Sequence, residues 1–297
     1  MAFPAGQPAH GDSIMKRRIG NWLLAGALAA TALLAPTAQA ASRVVSLGGD
    51  ITGIVYALDA GDTLVGVDST SFWPAQAQTL PNVGYVRQLS AEGILALHPD
   101  LIIATHDAGP PAVMQQLERL DQRLEILPSA RDGHGIVQKV RLIGGLLERP
   151  AQTAKLIAQL QTEAETLQAR VNAMPRHPRT VFIMNAGTTG LLVAGRDTAA
   201  DAAITLAGGD NVVTAYRSYK PLSAESLILL KPEVLLVMDT QQHADDHLLD
   251  HPAVRQTPAG RHHQVIHVNG EKLLGFGVRT LSAATALQAQ LARVPAP

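Results

Sequence analysis

The chain has no cysteine, few aromatic residues and almost no net charge. Its 297 residues include 3% aromatic side chains and carry a formal net charge of -1. Without cysteine there are neither disulfides nor thiolate metal ligands, so the fold must be held by its core alone. The balanced charge offers no general attraction to nucleic acid or to an anionic membrane. Nucleic acid is therefore not expected as a ligand, and any charged partner must meet a local patch.

The sequence also lacks the short motifs of common enzyme classes. It has no Gly-x-Ser-x-Gly elbow, no His-Glu-x-x-His, no Walker loop and no dinucleotide fingerprint. We therefore expect that the protein is not an enzyme. His243, His247 and His251 are spaced by four residues, which would stack them on one helical face and suggests a zinc site. Because aspartates lie among them and Pro252 limits the helix, we favour a solvated surface.

The first 40 residues have the order of a secretory signal peptide. A basic segment, Met15–Arg18, where translation is expected to start, precedes an apolar stretch, Trp22–Ala35, and the small residues Ala38–Ala40. A membrane anchor is the alternative, but the apolar stretch is shorter than the roughly 20 residues that a spanning helix needs. We predict cleavage after Ala40 and, because no anchor or lipid-attachment cysteine would remain, residence in the periplasm.

One short sequence motif, called the phrase, occurs twice in the chain. Leu89–Glu92 is followed by His98–Ile103, and Leu222–Glu225 is followed by Lys231–Leu236, with the proline seven residues after the glutamate in both copies. The same short helix and following strand are therefore expected twice. With 46% hydrophobic residues, the chain can bury two cores of ordinary size. The repeat predicts two similar lobes.

Apolar runs alternate with helical segments on both sides of one long uninterrupted segment. Strands that are apolar throughout and separated by helices indicate a parallel sheet covered on both faces. Ala151–Ala173 contains no Gly or Pro and follows Pro150, which predicts one long helix. The predicted fold is α/β, with two Rossmann-like lobes whose mainly parallel sheets are joined by this helix. The predicted regions are the signal region 1–40, the N-terminal lobe 41–149, the connecting helix 150–175 and the C-terminal lobe 176–297.

A tyrosine and a cation precede each copy of the phrase. Gly84–Arg87 precedes the first copy and Tyr216–Pro221 the second. In a parallel α/β lobe these segments lie near the carboxyl edge of the sheet, where ligands bind, and a cleft between lobes would bring them together. A nearby cation favours the phenolate, which is a hard anionic donor suited to ferric iron. Tyr85 alone is weak evidence for an iron-binding site, because a tyrosine at a lobe edge is more often a packing residue.

Glu92 and Glu225 open the two repeated helices. A carboxylate in the first turn is stabilised by the helix dipole, which explains one glutamate well. The helix dipole explains less well why both lobes have a glutamate at the same position of the phrase. A matched pair of exposed carboxylates would provide two docking points for a two-fold-symmetric partner that carries arginines. Both interpretations stay open at this point.

The residues resemble the periplasmic haem-binding proteins of bacterial haem-uptake ABC transporters, within the helical-backbone class of periplasmic binding proteins. The resemblance spans the mature chain and is most specific in three segments, Val83–Gly93, Val193–Gly209 and Tyr219–Glu225. It implies that ferric haem is the transported ligand, that Tyr85 is the axial ligand of its iron, and that the long helix limits lobe movement. Glu92 and Glu225 match glutamates that dock on the inner-membrane permease. The other expected haem-site residues are Arg87, Arg217, Tyr219 and Lys220.

The expected protein is a monomer. The resemblance implies one haem per protein, because some members of the family hold a second haem with a histidine from the second lobe, and Asn185–Gly195 contains no histidine. Three other functions remain open. The first is a carrier of the same fold for a ferric siderophore or a corrinoid, in which Tyr85 only lines the wall of the binding cleft. The second is a periplasmic enzyme or haem chaperone without a transporter, in which the glutamates have no partner. The third is a carrier of metal ions.

Overall fold

Two sheets, each flanked by helices, form the described part of the chain. The computed structural model describes residues 42–187, 190–239 and 248–296. The predicted signal region 1–40 lies outside these residues, as do His243 and His247. The architecture is α/β with two parallel-dominated sheets, which confirms the predicted fold class. None of the described helices is long and apolar enough to span a membrane.

The N-terminal lobe contains a four-stranded sheet that is parallel throughout, in the order β2-β1-β3-β4. Its two central strands are mostly apolar and are buried except for Thr105 at the end of the second, as expected for a sheet covered on both faces. The strands are β1 (Val44–Leu47), β2 (Leu64–Val67), β3 (Leu101–Thr105) and β4 (Leu124–Leu127). The helices are α1 (Gly49–Ala57), α2 (Ala91–Leu95), α3 (Pro111–Arg119) and α4 (Gly133–Leu146).

Helix α4 was not predicted from the sequence, because it contains four glycines and glycine disfavours helix interiors. Tertiary contacts override that preference. The Asp132 carboxylate caps the helix by accepting a hydrogen bond from the Gly135 N–H at 2.7 Å. A Cβ atom at Gly144 would lie 1.8 Å from the Thr153 Oγ1 atom, so this glycine permits close packing on the following helix.

The predicted long helix is present as α5 (Pro150–Asn172), which begins with proline at its first position. It buries a stripe of apolar side chains at helical spacing: Leu156, Leu160, Leu167 and Val171. It packs against α4 on the N-terminal side and against the last helix, α11 (Thr280–Leu291), on the C-terminal side. One element thus contacts helices from both halves of the chain.

The C-terminal lobe contains a six-stranded mixed sheet. Its main order is β10-β9-β5-β6-β8, and β7 pairs with β5. Strands β5, β7, β9 and β10 are parallel, whereas β6 runs antiparallel to both β5 and β8. The strands are β5 (Arg179–Gly187), β6 (Gly190–Ala194), β7 (Asp210–Asn211), β8 (Tyr219–Leu222), β9 (Val234–Asp239) and β10 (Val265–Asn269). The helices before α11 are α6 (Ala199–Leu206), α7 (Ala224–Leu230), α8 (Pro252–Arg255), α9 (Pro258–Arg261) and α10 (Gly270–Leu274).

The antiparallel strands were missed by the sequence analysis. Strand β8 is an edge strand with exposed residues and a proline, Pro221, so it has neither an apolar run nor full hydrogen bonding. Proline is tolerated at such an edge. The segment that was expected only to precede a helix therefore also completes the sheet.

The repeated phrase folds in the same way in both lobes. Each copy forms a short helix, α2 or α7, and then a central strand, β3 or β9. Ile94 and Leu227 are fully buried at matching positions. His98 and Lys231 both adopt the left-handed conformation immediately before the proline, with φ of 47° and 45°, and Lys231 is the C-cap of α7. The predicted helix–strand repeat is confirmed.

The two lobes belong to one compact unit, Ala40–Pro297, and contact each other beside α1 and α4. Lys139 on α4 forms a buried ion pair with Asp50 on α1. The Lys139 ammonium also donates a hydrogen bond of 3.2 Å to the carbonyl of Phe276 in the C-terminal lobe. Nearby, the Arg279 guanidinium lies 4.9 Å from the centre of the Trp73 ring. These contacts join the lobes without involving α5.

Candidate functional site

Tyr85 lies on a turn that follows the carboxyl end of β2. Gly84 precedes it with φ of 100°, a conformation that favours glycine. The Gly84 carbonyl accepts a hydrogen bond of 2.9 Å from the Ser69 N–H, and the Tyr85 carbonyl accepts one of 2.7 Å from the Gln88 N–H. The Tyr85 side chain is 41% exposed. The backbone is therefore fixed while the phenol remains accessible.

The same turn is also tied to the loop after β3. The Gly109 N–H donates to the Val86 carbonyl and the Leu89 N–H donates to the Gly109 carbonyl, each at 2.9 Å. Val86 and Leu89 are buried, which anchors the turn on the core. Because the sheet is parallel, the loops after β2 and β3 lie at one edge, and Tyr85 is held at that edge.

Arg87, two residues beyond Tyr85, is paired with Asp107. The Arg87 Nε atom donates to the Asp107 Oδ2 atom at 3.0 Å, and the Thr105 hydroxyl donates to Oδ1 at 3.1 Å. Burial acts to raise the pKa of Asp107, but the hydrogen bond and charge of Arg87 outweigh it and leave this pKa below its usual value. The carboxylate therefore stays charged and holds the guanidinium beside Tyr85.

Tyr219, in the C-terminal lobe, has different surroundings. It starts β8 and is half-buried, and its phenol makes hydrogen bonds with the Ala200 backbone and the Thr198 side chain at the start of α6. Burial raises the pKa of Tyr219, although these hydrogen bonds and the charges of Arg131 and Arg87 act in the opposite direction. The Tyr219 phenol is therefore held in the neutral form.

Arg87 connects the two tyrosines electrostatically. Burial acts to lower the pKa of Arg87, but the hydrogen bond and charge of Asp107, with smaller contributions from Tyr85 and Tyr219, raise it. One guanidinium from the N-terminal lobe thus interacts with a phenol from each lobe. The structure brings together Tyr85, Arg87 and Tyr219 from the set that the sequence suggested.

The other two predicted cations make contacts within the C-terminal lobe. The Arg217 Nε atom lies 2.9 Å from the Asp197 Oδ2 atom, and both side chains are exposed. The Lys220 ammonium lies 5.5 Å from the centre of the Tyr216 ring. Both cations face solvent and are accessible to an anionic ligand, but the contacts that hold them are not with Tyr85.

Two residues of this region were not singled out from the sequence. Asp107 fixes Arg87, and nothing in a lone aspartate after a strand reveals such a partner. Phe72 is 44% exposed on the loop after β2, close in sequence to Ser69, which binds the Gly84 carbonyl. An aromatic pair, Phe72 and Trp73, at the carboxyl end of a parallel strand was a signal that could have identified it.

A groove of about 1100 Å³ lies on the C-terminal side of the described structure. It runs between α5 and α6 and has mainly polar side chains, among them Arg131, Arg196 and Asp201. Arg131 also acts on the pKa of Tyr219. The groove and the tyrosine site therefore share a cation.

Glu92 and Glu225 are both exposed in the first turns of α2 and α7. Hydrogen bonds from its own backbone N–H and from Ser223 lower the pKa of Glu225. The structural repeat gives the two carboxylates equivalent local positions, one in each lobe.

A family profile described as periplasmic binding protein matches residues 44–271, which include both sheets. This chain belongs to the periplasmic binding protein family. Periplasmic binding proteins of this type work with inner-membrane ABC permeases, and the family consists of solute-binding proteins rather than enzymes.

This periplasmic binding protein is similar to relatives named for two different ligands. It is 31% identical to the vitamin B12-binding protein of Yersinia pestis (strain Pestoides F) over 279 residues, 92% of this chain and 94% of the relative. It is 38% identical to the periplasmic heme-binding protein RhuT from Roseiflexus sp. RS-1 in apo form, with a TM-score of 0.79 over 85% of this chain and 98% of that one. It is 34% identical to the periplasmic heme-binding protein BhuT in complex with two hemes, with a TM-score of 0.80 and the same coverage.

The histidines in the described part of this periplasmic binding protein form no metal centre. Among residues 42–187, 190–239 and 248–296, no group of three or more His, Cys, Asp or Glu is arranged to hold a metal ion. The His251 Nδ1 atom instead accepts a hydrogen bond of 3.2 Å from the Ala253 N–H and caps α8. His243 and His247 lie outside the described residues.

Proposed function

We propose that this protein captures ferric haem in the cleft between its lobes and delivers it to an inner-membrane ABC importer. The observation that carries the proposal is Tyr85, an exposed phenol on a fixed turn with the Arg87 cation held beside it. A phenolate oxygen is a hard anionic donor that suits ferric iron.

Each side chain of the site has a different proposed role in binding haem. Tyr85 supplies the iron bond, and Phe72 offers an apolar surface at the same sheet edge. Tyr219, kept neutral by burial, donates a hydrogen bond rather than binding iron. The cations of the site, Arg87, Arg217 and Lys220, attract the two propionates, since charge-assisted hydrogen bonds to carboxylates are the stronger kind.

A corrinoid is the second candidate ligand, and the Yersinia pestis relative favours it because the similarity covers 92% of this chain. In that function Tyr85 would form only part of the wall. A ferric siderophore is a further possibility for the same fold, in which the basic side chains would bind the ligand.

Parallel titrations separate these ligands. The protein from Ala41 onward would be titrated with ferric haem and with cyanocobalamin, and the optical spectrum recorded at each addition. We expect saturable haem binding with an equivalence point at one haem per chain, and no saturable binding of cyanocobalamin. Saturation by cyanocobalamin without haem binding would replace the haem proposal with the corrinoid one.

Docking on the permease is proposed to use Glu92 and Glu225. Their equivalent exposed positions provide one carboxylate per lobe for arginines of the permease. In the Glu92→Arg/Glu225→Arg variant we expect unchanged haem binding and loss of haem-stimulated ATP hydrolysis by the reconstituted transporter. Full stimulation by this variant would refute docking through these glutamates, and a wild type that does not stimulate the transporter would favour a haem chaperone or enzyme that needs none.

The proposed location is the periplasm, after cleavage of the signal region 1–40 behind Ala40. The proposed mature protein is a monomer with an N-terminal lobe 41–149, a connecting helix 150–175 and a C-terminal lobe 176–297. Intact-mass measurement of the protein from a periplasmic extract tests this processing. A mass that begins at Ala41 is expected, and an uncleaved chain in the membrane fraction would contradict it.

A further inference from the structure

Leu229 is the most exposed large hydrophobic side chain in the described part of the chain. It is 78% exposed, whereas the next, Leu120, is 50% exposed. Two of the others, Phe72 and Tyr85, lie at the candidate ligand site. Single exposed leucines are common and need no function by themselves. Leu229 differs from the other exposed residues because it lies near Glu225 on α7.

Leu229 follows Glu225 by four residues on α7, so the two side chains lie one above the other on the same face of the helix. The helix is well defined at both ends. The Ser223 hydroxyl accepts a hydrogen bond of 3.2 Å from the Ser226 N–H, and Lys231 ends the helix in the left-handed conformation. Leu227 is fully buried beneath it. The helix therefore fixes the backbone positions of the exposed leucine and of the carboxylate next to each other.

The N-terminal copy of the phrase has no such residue. When the two copies are aligned on Glu92 and Glu225, the buried Ile94 corresponds to Leu227 and the exposed Ala96 corresponds to Leu229. The core positions of the two copies are both large and apolar, while the surface position carries a methyl group in one copy and an isobutyl group in the other. The lobes thus present the same charge but different apolar surfaces.

We propose that Leu229 and Glu225 form a mixed docking patch, in which Leu229 enters an apolar depression of the ABC permease next to the basic group that binds Glu225. The inference rests on the proposed docking function and extends it: the N-terminal lobe docks through charge, and the C-terminal lobe through charge and apolar contact. The two glutamates indicate the occupant, because the leucine is continuous with one of them. Exposed ion pairs contribute little and weaken with salt, whereas burial of a leucine adds affinity that salt does not screen.

The test measures binding to the detergent-free, nanodisc-reconstituted permease complex of the same organism at low and high salt. Leu229→Ala is compared with Leu142→Ala, which makes the same change at an exposed position of α4. We expect Leu229→Ala to weaken binding about tenfold at both salt concentrations, mainly through faster dissociation, and Leu142→Ala to have no effect. Haem titrations and melting curves of both variants should match those of the wild type.

The Glu92→Arg/Glu225→Arg variant separates failure of this inference from failure of the docking proposal. If that variant loses binding while Leu229→Ala binds like the wild type, the apolar contact is refuted and glutamate docking stands. If neither variant changes binding, both are refuted. If the wild type forms dimers that Leu229→Ala abolishes while permease affinity is unchanged, the leucine serves self-association and the inference is overturned.

Discussion

Two tyrosines, one in each lobe, have surroundings that suit them to different tasks. Tyr85 is 41% exposed on a fixed turn, whereas Tyr219 is packed against the core and hydrogen-bonded at the start of α6. Burial raises the pKa of Tyr219 and disfavours its phenolate, while Tyr85 is open to a ligand. The same residue type is thus accessible to a ligand in one lobe and held by burial as a neutral phenol in the other.

The two tyrosines and Arg87 were identified from the sequence, but the residue that holds Arg87 in place was not. Tyrosines followed by cations before a repeated phrase are visible in the sequence, and Tyr85, Arg87 and Tyr219 do come together. Asp107, which binds Arg87, lies twenty residues further along, so only the fold brings it there. The side-chain contacts of Arg217 and Lys220 depend on β6 and β8, which the sequence analysis did not anticipate.

Asp107→Asn should alter the acid stability of the protein. The pKa of Asp107 is lowered in the folded state, so its contribution is present above about pH 4, the ordinary range for aspartate, and is lost as the pH falls through the folded value. We expect the variant to be destabilised by about 0.5 to 1 kcal/mol at pH 6, since the pair is partly exposed. Urea unfolding at pH 6 and pH 3 measures this difference.

The double variant Arg87→Ala/Asp107→Asn provides the control for that experiment. If the pair is the cause, Asp107→Asn should have little effect once Arg87 is absent. A wild-type advantage that is equally large at pH 3 and pH 6 would contradict the assignment.

At the scale of elements, the sequence predicted those with strong hydrophobic periodicity and missed those that depend on tertiary contacts. The parallel strands and the long helix α5 were predicted because their apolar patterns are continuous. Helix α4 was missed because its glycines disfavour a helix, and β6 and β8 because an exposed edge strand has no buried run. In both cases, packing against a neighbour decides the conformation.

Two adjacent glycines of α4 should respond in opposite ways to alanine. Gly144 is buried, and a Cβ atom there would lie 1.8 Å from the Thr153 Oγ1 atom and 2.9 Å from its Cβ atom. Gly145 is exposed and has nothing within 4 Å of an added Cβ atom. We expect Gly145→Ala to stabilise the protein by up to about 1 kcal/mol, through helix propensity alone. Gly144→Ala should destabilise it by about 1 to 3 kcal/mol, because α4 and α5 must separate.

Urea unfolding of both variants under the same conditions measures these changes in the free energy of unfolding. Because the helix and the substitution are the same, propensity cancels in the comparison. Equal stabilisation by the two alanines would show that α4 does not need close contact with α5 at Gly144.

At the scale of the whole molecule, the lobes are joined by more than the connecting helix. Helix α5 packs on helices from both halves of the chain, and Lys139 links Asp50 to the Phe276 carbonyl of the other lobe. A helix without an internal proline resists sharp bending, and a second set of contacts limits rotation about it. The arrangement favours small lobe movements during ligand capture.

Lys139→Met should destabilise the folded protein strongly. The Lys139 and Asp50 side chains are 6% and 9% exposed, so loss of the ammonium leaves a buried carboxylate without its charged partner. We expect a loss of about 3 to 5 kcal/mol in the free energy of unfolding. The Asp50→Asn/Lys139→Met variant should recover a large part of that loss, because it also removes the buried charge. A double variant no more stable than Lys139→Met would contradict this account.

The most direct test of the account is the optical spectrum of the ferric haem complex of the wild type, Tyr85→Phe and Tyr219→Phe. Each substitution removes one hydroxyl and keeps the ring, and each tests one lobe. We predict the spectrum of phenolate-ligated high-spin ferric haem in the wild type and in Tyr219→Phe, and its loss in Tyr85→Phe. A Tyr85→Phe complex with the same spectrum as the wild type would contradict the assignment of Tyr85 as the iron ligand.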